Sequence, residues 1–283
     1  MYLSIDLGRS TTRVASTTDL QKIHKVAKFP TDTNFEKQIK HITDAIYDVS
    51  DNDHVNAIAL GVPATLDKKS KKFIACANYP VLAGLPFNSL LPESLRNSKL
   101  IVENDALLGG LGEAYFGAGI EFNIVSYLTL STGVGGTRIE KNKDGYTFIE
   151  AEPGHHVICE DDKVADKTGI FGTFESFCSG SYFEMRYGEK PINIKNDKIW
   201  KDYAKHLSSG IINIISLWKP EAIILGGGIS NNFDVFYPHL NNYLSTQSFF
   251  AIPEIVRSQL GDDSGIYGGF VLLGGKNEIL HNL

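Results

Sequence analysis

The apolar run Lys99-Leu100-Ile101-Val102 leads directly into Glu103-Asn104-Asp105, near the middle of a chain of 283 residues. Glycine, alanine and leucine fill residues 106–112, which continue into Glu113-Ala114-Tyr115-Phe116. This pattern predicts a buried strand that ends at a polar turn, with Asp105 close to the start of a helix. Asp105 therefore has two open interpretations, a helix N-cap and a residue that activates a hydroxyl group.

The composition around this segment is that of a folded globular chain, with 42% hydrophobic and 21% charged residues. The length fits two domains more comfortably than one. The net charge of −6 and the single lysine-rich run, residues 68–72, do not indicate a nucleic-acid surface. We interpret that run as the exposed turn of a hairpin and expect no nucleic-acid partner.

Cysteine usage indicates a reducing compartment, and the hydropathy pattern indicates no membrane span. Cys76, Cys159 and Cys178 are an odd, widely spaced set, which is a poor disulfide framework. Residues 1–6 lack a basic region and reach an acidic residue too early for a signal peptide. No uncharged apolar run approaches the ~18 residues of a membrane span. We therefore expect a cytoplasmic protein without a membrane partner.

Two turns rich in glycine, serine and threonine resemble each other across the chain. The first follows an apolar strand at residues 2–5 and the second follows a strand at residues 123–130. They leave through Thr12-Arg13-Val14 and Thr137-Arg138-Ile139, respectively. Two such units half a chain apart suggest a duplicated domain, in which each half gives one hairpin to a shared cleft.

These turns have the composition of anion-binding loops. Their candidate residues are Gly8, Ser10 and Thr11 in the first turn and Thr132, Gly133, Gly135 and Gly136 in the second. Backbone amides and hydroxyls exposed in such turns can hold phosphate, although ordinary polar hairpin turns have the same composition. Asp6, at the end of the first strand, is placed to hold a magnesium ion directly or through water.

Further polar residues stand beside glycines later in the chain. Asn78 either contacts a polar ligand or closes an Asx turn. Glu152, His155 and Glu175 either line a pocket for a polyhydroxylated ligand or belong to polar surface loops. Gly226-Gly227-Gly228 follow a buried strand, where they either allow a flat ligand such as adenine to approach or form a strand-to-helix turn.

In this order, the motifs resemble those of the ROK family of sugar kinases, particularly its glucokinase-like members, within the actin-like ATPase superfamily. The matching segments are Asp6-Leu7-Gly8-Arg9-Ser10, Gly61-Val62-Pro63-Ala64, Glu103-Asn104-Asp105, residues 131–136 and Glu152-Pro153-Gly154-His155. The resemblance implies a two-domain α/β fold of the ribonuclease H-like type with a central cleft. We place the domains at residues 1–110 and 111–283, and leave open whether the terminal helix returns to the first.

The resemblance also implies roles for these residues. Asp105 would be the catalytic base, with Asn78, Asn104, Glu152, His155 and Glu175 as sugar ligands. The two turns and Gly226, Gly227 and Gly228 would bind ATP, with Mg²⁺ near Asp6. A homodimer is also implied.

One segment departs from the family pattern. Many members carry a structural zinc loop with three cysteines, and Asp166, Thr168 and Thr173 stand at those positions here. Without thiolates a tetrahedral zinc site lacks its soft ligands. We therefore expect no structural zinc and a loop held by packing. The repressors of the family carry a helix-turn-helix ahead of the first turn, whereas a strand is predicted from residue 2 here, so we expect no DNA binding.

The expected reaction is ATP-dependent phosphorylation of a hexose, most simply of glucose to glucose 6-phosphate. N-acetylmannosamine, fructose and allose are alternative acceptors, and polyphosphate is an alternative donor. A non-catalytic sugar or nucleotide sensor is the alternative from another class, favoured by Arg9 in the first turn and by the altered zinc loop.

Overall fold

The computed structural model describes residues 1–51, 53–76, 79–247 and 250–274. The described chain forms two compact units. Unit 1 comprises Met1–Tyr115 together with the helix near the end of the described chain, and unit 2 comprises Phe116–Asp262. The domain boundary predicted after residue 110 falls within the helix Asp105–Phe116.

Unit 1 is built on a mixed five-stranded sheet and a separate hairpin. The sheet strands are β1 (Tyr2–Leu7), β2 (Thr11–Thr17), β3 (Lys25–Pro30), β4 (Ala57–Val62) and β7 (Lys99–Asn104), and the hairpin strands are β5 (Ala64–Asp67) and β6 (Lys72–Cys76). The order across the sheet is β3-β2-β1-β4-β7, with β1, β4 and β7 parallel. All six residues of β4 are buried, as expected for a central parallel strand covered on both faces.

Three helices complete unit 1: α1 (Phe35–Ser50), α2 (Asp105–Phe116) and α7 (Ser264–Leu273). The spacing of Ile42, Ala45, Ile46 and Val49 gives α1 one buried face, and the Asn34 side chain accepts from Lys37 N at its start. α7 packs on β1 and β4, although residues 116–262 separate it from the rest of unit 1.

The helices α2 and α7 approach so closely that their contact requires glycine. A β-carbon on Gly112 would lie 2.0 Å from the Ser264 carbonyl oxygen, and one on Gly268 would lie 1.8 Å from that of Leu108. Neither position can therefore carry a side chain unless the two backbones separate.

Unit 2 repeats the sheet topology of unit 1. Its strands are β8 (Ile124–Leu130), β9 (Val134–Asn142), β10 (Gly145–Glu150), β11 (Ala222–Gly226) and β12 (Glu254–Arg257). They are arranged in the order β10-β9-β8-β11-β12, with β8, β11 and β12 parallel. Numbered within each sheet, both orders are 3-2-1-4-5. The similarity of the two turns in the sequence thus corresponds to a repeated topology.

The helices of unit 2 are α3 (Phe174–Cys178), α4 (Gly180–Tyr187), α5 (Asp197–Trp218) and α6 (Phe233–Gln247). α5 packs against α3 and α6, and its fully buried Trp200 and Tyr203 lie in the largest aromatic group of the core. α6 runs through Pro238, where the sequence predicts a kink or a helix start. The missing N–H removes one bond near the first turn, while buried Phe236 and Leu240 fix the helix on the core.

Among the residues that the structure describes, no helix is long and apolar enough to cross a membrane.

Candidate active site

The parallel strands of unit 1 bring several predicted site residues to one edge of the sheet. Asp6 on β1 is in register with Gly61 on β4, which is in register with Glu103 on β7. The carboxyl ends of these strands therefore lie side by side, so the turn after β1 and the start of α2 after β7 share this edge. A β-carbon on Gly61 would come within 3.7 Å of the Asp105 Cα, which shows how close these segments are.

Asn104 and Asp105 stand at the junction between β7 and α2. The Oδ1 atoms of both accept from the backbone N–H of Ala106, at 2.8 Å and 2.9 Å, respectively. Both side chains thus help to satisfy one of the N–H groups left open at the helix start. The cap interpretation of Asp105 is compatible with a chemical role, since a carboxylate has a second oxygen.

Glu103 has a partner that sequence spacing did not reveal. Lys68, from the lysine-rich run between β5 and β6, places its Nζ 2.9 Å from the buried Glu103 Oε2. The run is a hairpin turn as predicted, but Lys68 neutralises a buried carboxylate two residues before Asp105 instead of facing only water.

Asp6 lies beneath the first turn. Its Oδ2 is 3.5 Å from Arg13 Nη1, and a β-carbon on Gly265 at the start of α7 would lie 2.9 Å from its carboxyl carbon. In the turn itself, the Gly8 carbonyl accepts from Thr31 Oγ1 at 2.8 Å. Arg9 is exposed.

In unit 2, the second turn is tied to Glu175 and to the Glu152–His155 motif. Glu175 is buried on α3, and its Oε2 accepts from Val134 N at 2.9 Å. A β-carbon on Gly133 would lie 2.6 Å from that oxygen, and one on Gly154 would lie 2.2 Å from the Val134 carbonyl oxygen. The structure therefore brings together the turn at residues 131–136 and both acidic segments that the sequence singled out.

These groups influence one another electrostatically. Burial raises the pKa of Glu152, as does the nearby Glu175 carboxylate, while His155 lowers it. A cationic or hydrogen-bond-donating ligand is therefore favoured between these carboxylates.

The loop at residues 157–172, where the zinc cysteines are missing, is held by polar contacts. Asp166 is buried, and its Oδ1 accepts from the backbone N–H and the hydroxyl of Thr168 and from Ile170 N. Its Oδ2 lies 2.7 Å from His155 Nδ1. Arg186 forms two hydrogen bonds to Asp162, of 2.6 Å and 3.3 Å. Thr173 caps α3 through Ser176 N. Hydrogen bonds and an ion pair thus support the loop in addition to packing.

We predict that Asp166 makes unit 2 sensitive to acid. Burial raises the pKa of Asp166, but hydrogen bonds from Thr168 and His155 outweigh it and set the pKa at about 2, below the ordinary 3.8. The ionised Asp166 therefore contributes about 2 kcal/mol to the free energy of unfolding above about pH 4, and this contribution is lost as the pH falls to about 2.

The measurement is urea unfolding followed by tryptophan fluorescence, because both tryptophans, Trp200 and Trp218, lie in unit 2. Between about pH 5 and 3, the parent should lose more stability than Asp166→Asn. Equal losses would contradict the prediction.

The glycines after β11 adjoin the end of β8. Gly227 has φ +81°, and a β-carbon there would lie 2.5 Å from the Leu130 carbonyl oxygen, so this position requires glycine. A β-carbon on Gly228 would meet nothing within 4 Å. Backbone at Gly228 is thus open to close approach by a ligand.

Asn78 lies outside the described residues. Within the described ranges, no group of three or more His, Cys, Asp or Glu side chains is arranged to hold a metal ion.

Two sheets of identical strand order, each with a glycine-containing turn between its first two strands, define a protein of the actin-like ATPase fold. The sequence model of the ROK family matches residues 2–276, so the chain belongs to the ROK family.

Relatives match along most of their length. A glucokinase from Thermotoga maritima is 27% identical over 94% of this chain and 95% of its own. An N-acetyl-D-glucosamine kinase from Pectobacterium carotovorum is 24% identical over 96% of this chain and 98% of its own. The crystal structure of a ROK family glucokinase from Streptomyces griseus, in complex with glucose and AMPPNP, has a TM-score of 0.78 at 23% identity and covers 96% of this chain and 98% of that one.

The chain is accordingly a phosphotransferase that uses an alcohol group as acceptor.

Proposed function

We propose that this protein is an ATP-dependent hexose kinase that converts glucose to glucose 6-phosphate. The observation that carries the proposal is the carboxyl edge of the unit 1 sheet, where Asp6, the turn after it, Asn104 and Asp105 come together. A carboxylate at a helix start beside a phosphate-type turn suits a general base for a hydroxyl. In this proposal Asp105 removes the proton from the attacking hydroxyl.

The sugar ligands proposed are Asn78 and Asn104 from unit 1 and Glu152, His155 and Glu175 from unit 2. The mutual influence of Glu152, His155 and Glu175 supports a shared ligand with several hydroxyl groups, which can both donate to carboxylates and pair with an imidazole. Glu175 already accepts from Val134 N through one oxygen, so its part includes fixing the second turn.

The residues of the nucleotide side fit a phosphate chain and a flat base. Gly8, Ser10 and Thr11 in unit 1, and Thr132, Gly133, Gly135 and Gly136 in unit 2, would hold phosphates through amides and hydroxyls. Gly226, Gly227 and Gly228 would border the adenine, which the open space beside Gly228 supports. Asp6 would hold Mg²⁺, and its carboxylate would then interact with both the metal ion and Arg13. Bound MgATP supplies the phosphoryl group and neutralises charge in its transfer.

The test is a panel of sugars with ATP and with polyphosphate, followed by a coupled ADP assay and by product mass. The panel contains glucose, fructose, allose, N-acetylmannosamine and N-acetylglucosamine, the last because of the Pectobacterium relative. We expect the highest kcat/KM for glucose with ATP. A higher value for another sugar or donor would correct the substrate, and sugar binding without any transfer would favour a sensor instead.

A homodimer belongs to the same proposal and rests on the family resemblance alone. Sedimentation equilibrium of the purified chain, of 31.1 kDa, measures it directly.

A further inference from the structure

Asp166, which stands where the family resemblance expects a zinc-binding cysteine, contacts His155, one of the residues proposed to bind the sugar. Its side chain is fully buried, while that of His155 keeps 28% of its surface exposed. The 2.7 Å contact joins Asp166 Oδ2 to His155 Nδ1. Within the described part of the chain, the His155 ring has no second hydrogen bond, so Nε2 is left for a ligand.

The remaining contacts of Asp166 fix the orientation of its carboxylate. Oδ1 accepts from Thr168 N at 2.8 Å, from Thr168 Oγ1 at 2.6 Å and from Ile170 N at 3.3 Å. Three donors thus converge on one oxygen, while the other oxygen contacts His155; the Thr173 side chain is a further hydrogen-bond partner of the carboxylate. The carboxylate keeps this orientation because the loop backbone fixes the N–H groups of Thr168 and Ile170.

The charge state of Asp166 then decides the proton position on the ring. Its pKa of about 2 makes it an ionised carboxylate near neutral pH, and an ionised carboxylate can only accept hydrogen bonds. His155 Nδ1 must therefore carry a proton. In the neutral ring, Nε2 is then an acceptor.

We propose that Asp166 is a positioning residue that holds His155 in the Nδ1–H tautomer, so that Nε2 accepts a hydrogen bond from a sugar hydroxyl. The inference rests on the proposed sugar-kinase function for the ligand, but not for the tautomer. It assigns to a carboxylate, at a position where the family resemblance expects a metal-binding cysteine, the task of orienting this histidine.

Asp166→Asn reverses the proton pattern without changing the shape of the side chain. The three donors at Oδ1 require the amide oxygen there, so the amide NH₂ faces His155 Nδ1 and donates to it. The neutral ring is then forced to carry its proton on Nε2 and presents a donor where the parent presents an acceptor.

The first experiment observes the tautomer directly in the ¹⁵N-labelled protein without ligand. Two-bond ¹H–¹⁵N correlation spectra distinguish a protonated Nδ1 from a protonated Nε2, and a His155→Gln spectrum identifies His155 among the eight histidines. We expect Nδ1–H in the parent and Nε2–H in Asp166→Asn. An Nε2–H ring in the parent, or the same tautomer in both proteins, would overturn the proposal whether or not the protein phosphorylates sugars.

The second experiment compares kinetics with those of a matched control, Asp162→Asn. Asp162 supports the same loop through Arg186, whereas the His155 ring is hydrogen-bonded to Asp166. Asp166→Asn should raise the sugar KM by ~10–100-fold, the range observed when the partner that orients a metal-ligating histidine is removed, with the KM for ATP unchanged. Asp162→Asn should lower stability and leave the sugar KM near that of the parent.

Equal increases in sugar KM for the two variants would mean that Asp166 only supports the loop, and would overturn the proposal. If no sugar is phosphorylated by the parent, the proposed function fails and the tautomer result alone decides the role of Asp166.

Discussion

Asp105→Asn is expected to lower kcat by ~10²–10⁴-fold while the KM for the sugar stays close to that of the parent, since this is the usual contribution of a general base. The amide oxygen of asparagine can still accept from Ala106 N, as Asp105 Oδ1 does at 2.9 Å, so the start of α2 is preserved. The substitution thus removes the base and keeps the cap. The measurement is steady-state kinetics with glucose and MgATP, together with direct sugar binding.

Glu103→Gln is the matched control, because it removes a carboxylate two residues away that is paired with Lys68. We expect it to lower stability, since Lys68 is left without its charged partner, and to retain kcat within a few-fold of the parent. Turnover by Asp105→Asn at the parent rate would refute the role of Asp105. A loss of kcat as large in Glu103→Gln would attribute the effect to local charge instead.

Gly268→Val should destabilise unit 1 by at least about 3 kcal/mol, at the upper end for overpacking. A β-carbon at this position would lie 1.8 Å from the Leu108 carbonyl oxygen, and a backbone atom cannot turn aside as a side chain can. α7 must therefore move away from α2, which also weakens its packing on β1 and β4.

The two units give different signals, which makes this effect measurable. Far-UV circular dichroism reports on both, whereas tryptophan fluorescence reports on unit 2 alone. In urea, Gly268→Val should lower the midpoint of the dichroism transition, and an unchanged midpoint would contradict the prediction. Gly274→Ala is the control at the end of the same helix, where φ is −68° and a β-carbon lies 3.4 Å from its nearest neighbours.

The sequence predicts the interior elements of both units well, because their apolar residues recur at helical spacing or in buried runs. β1, β7, β8 and the start of α2 all lie where the pattern places them. The edge strand β3 was not predicted, since four of its six residues are exposed and its pattern is weak. An edge strand is specified by pairing with its neighbour, which one local segment does not encode.

For the candidate site, the sequence predicts which residues belong to each turn but not which side chains contact them. The residues of Glu152–His155, Glu175 and the second turn were singled out separately, and their contact through Val134 depends on how α3 packs. The sequence marks Asp166 only as a position where a zinc-binding cysteine is missing. Its bond to His155 spans 11 residues across an irregular loop, a separation that no helical or strand periodicity predicts.

The return of α7 to unit 1 sets an order of events during protein synthesis. Residues 116–262 are synthesised before α7, and their synthesis takes on the order of ten seconds at ~5–20 residues per second. Through this interval the small-residue face of β1 and β4, including Ser4 and Ala59 against which Gly269 packs, lacks the cover that α7 provides. The half of the protein that is translated first is therefore the last to finish folding, and a nascent chain stalled before residue 264 would expose that face to chaperones.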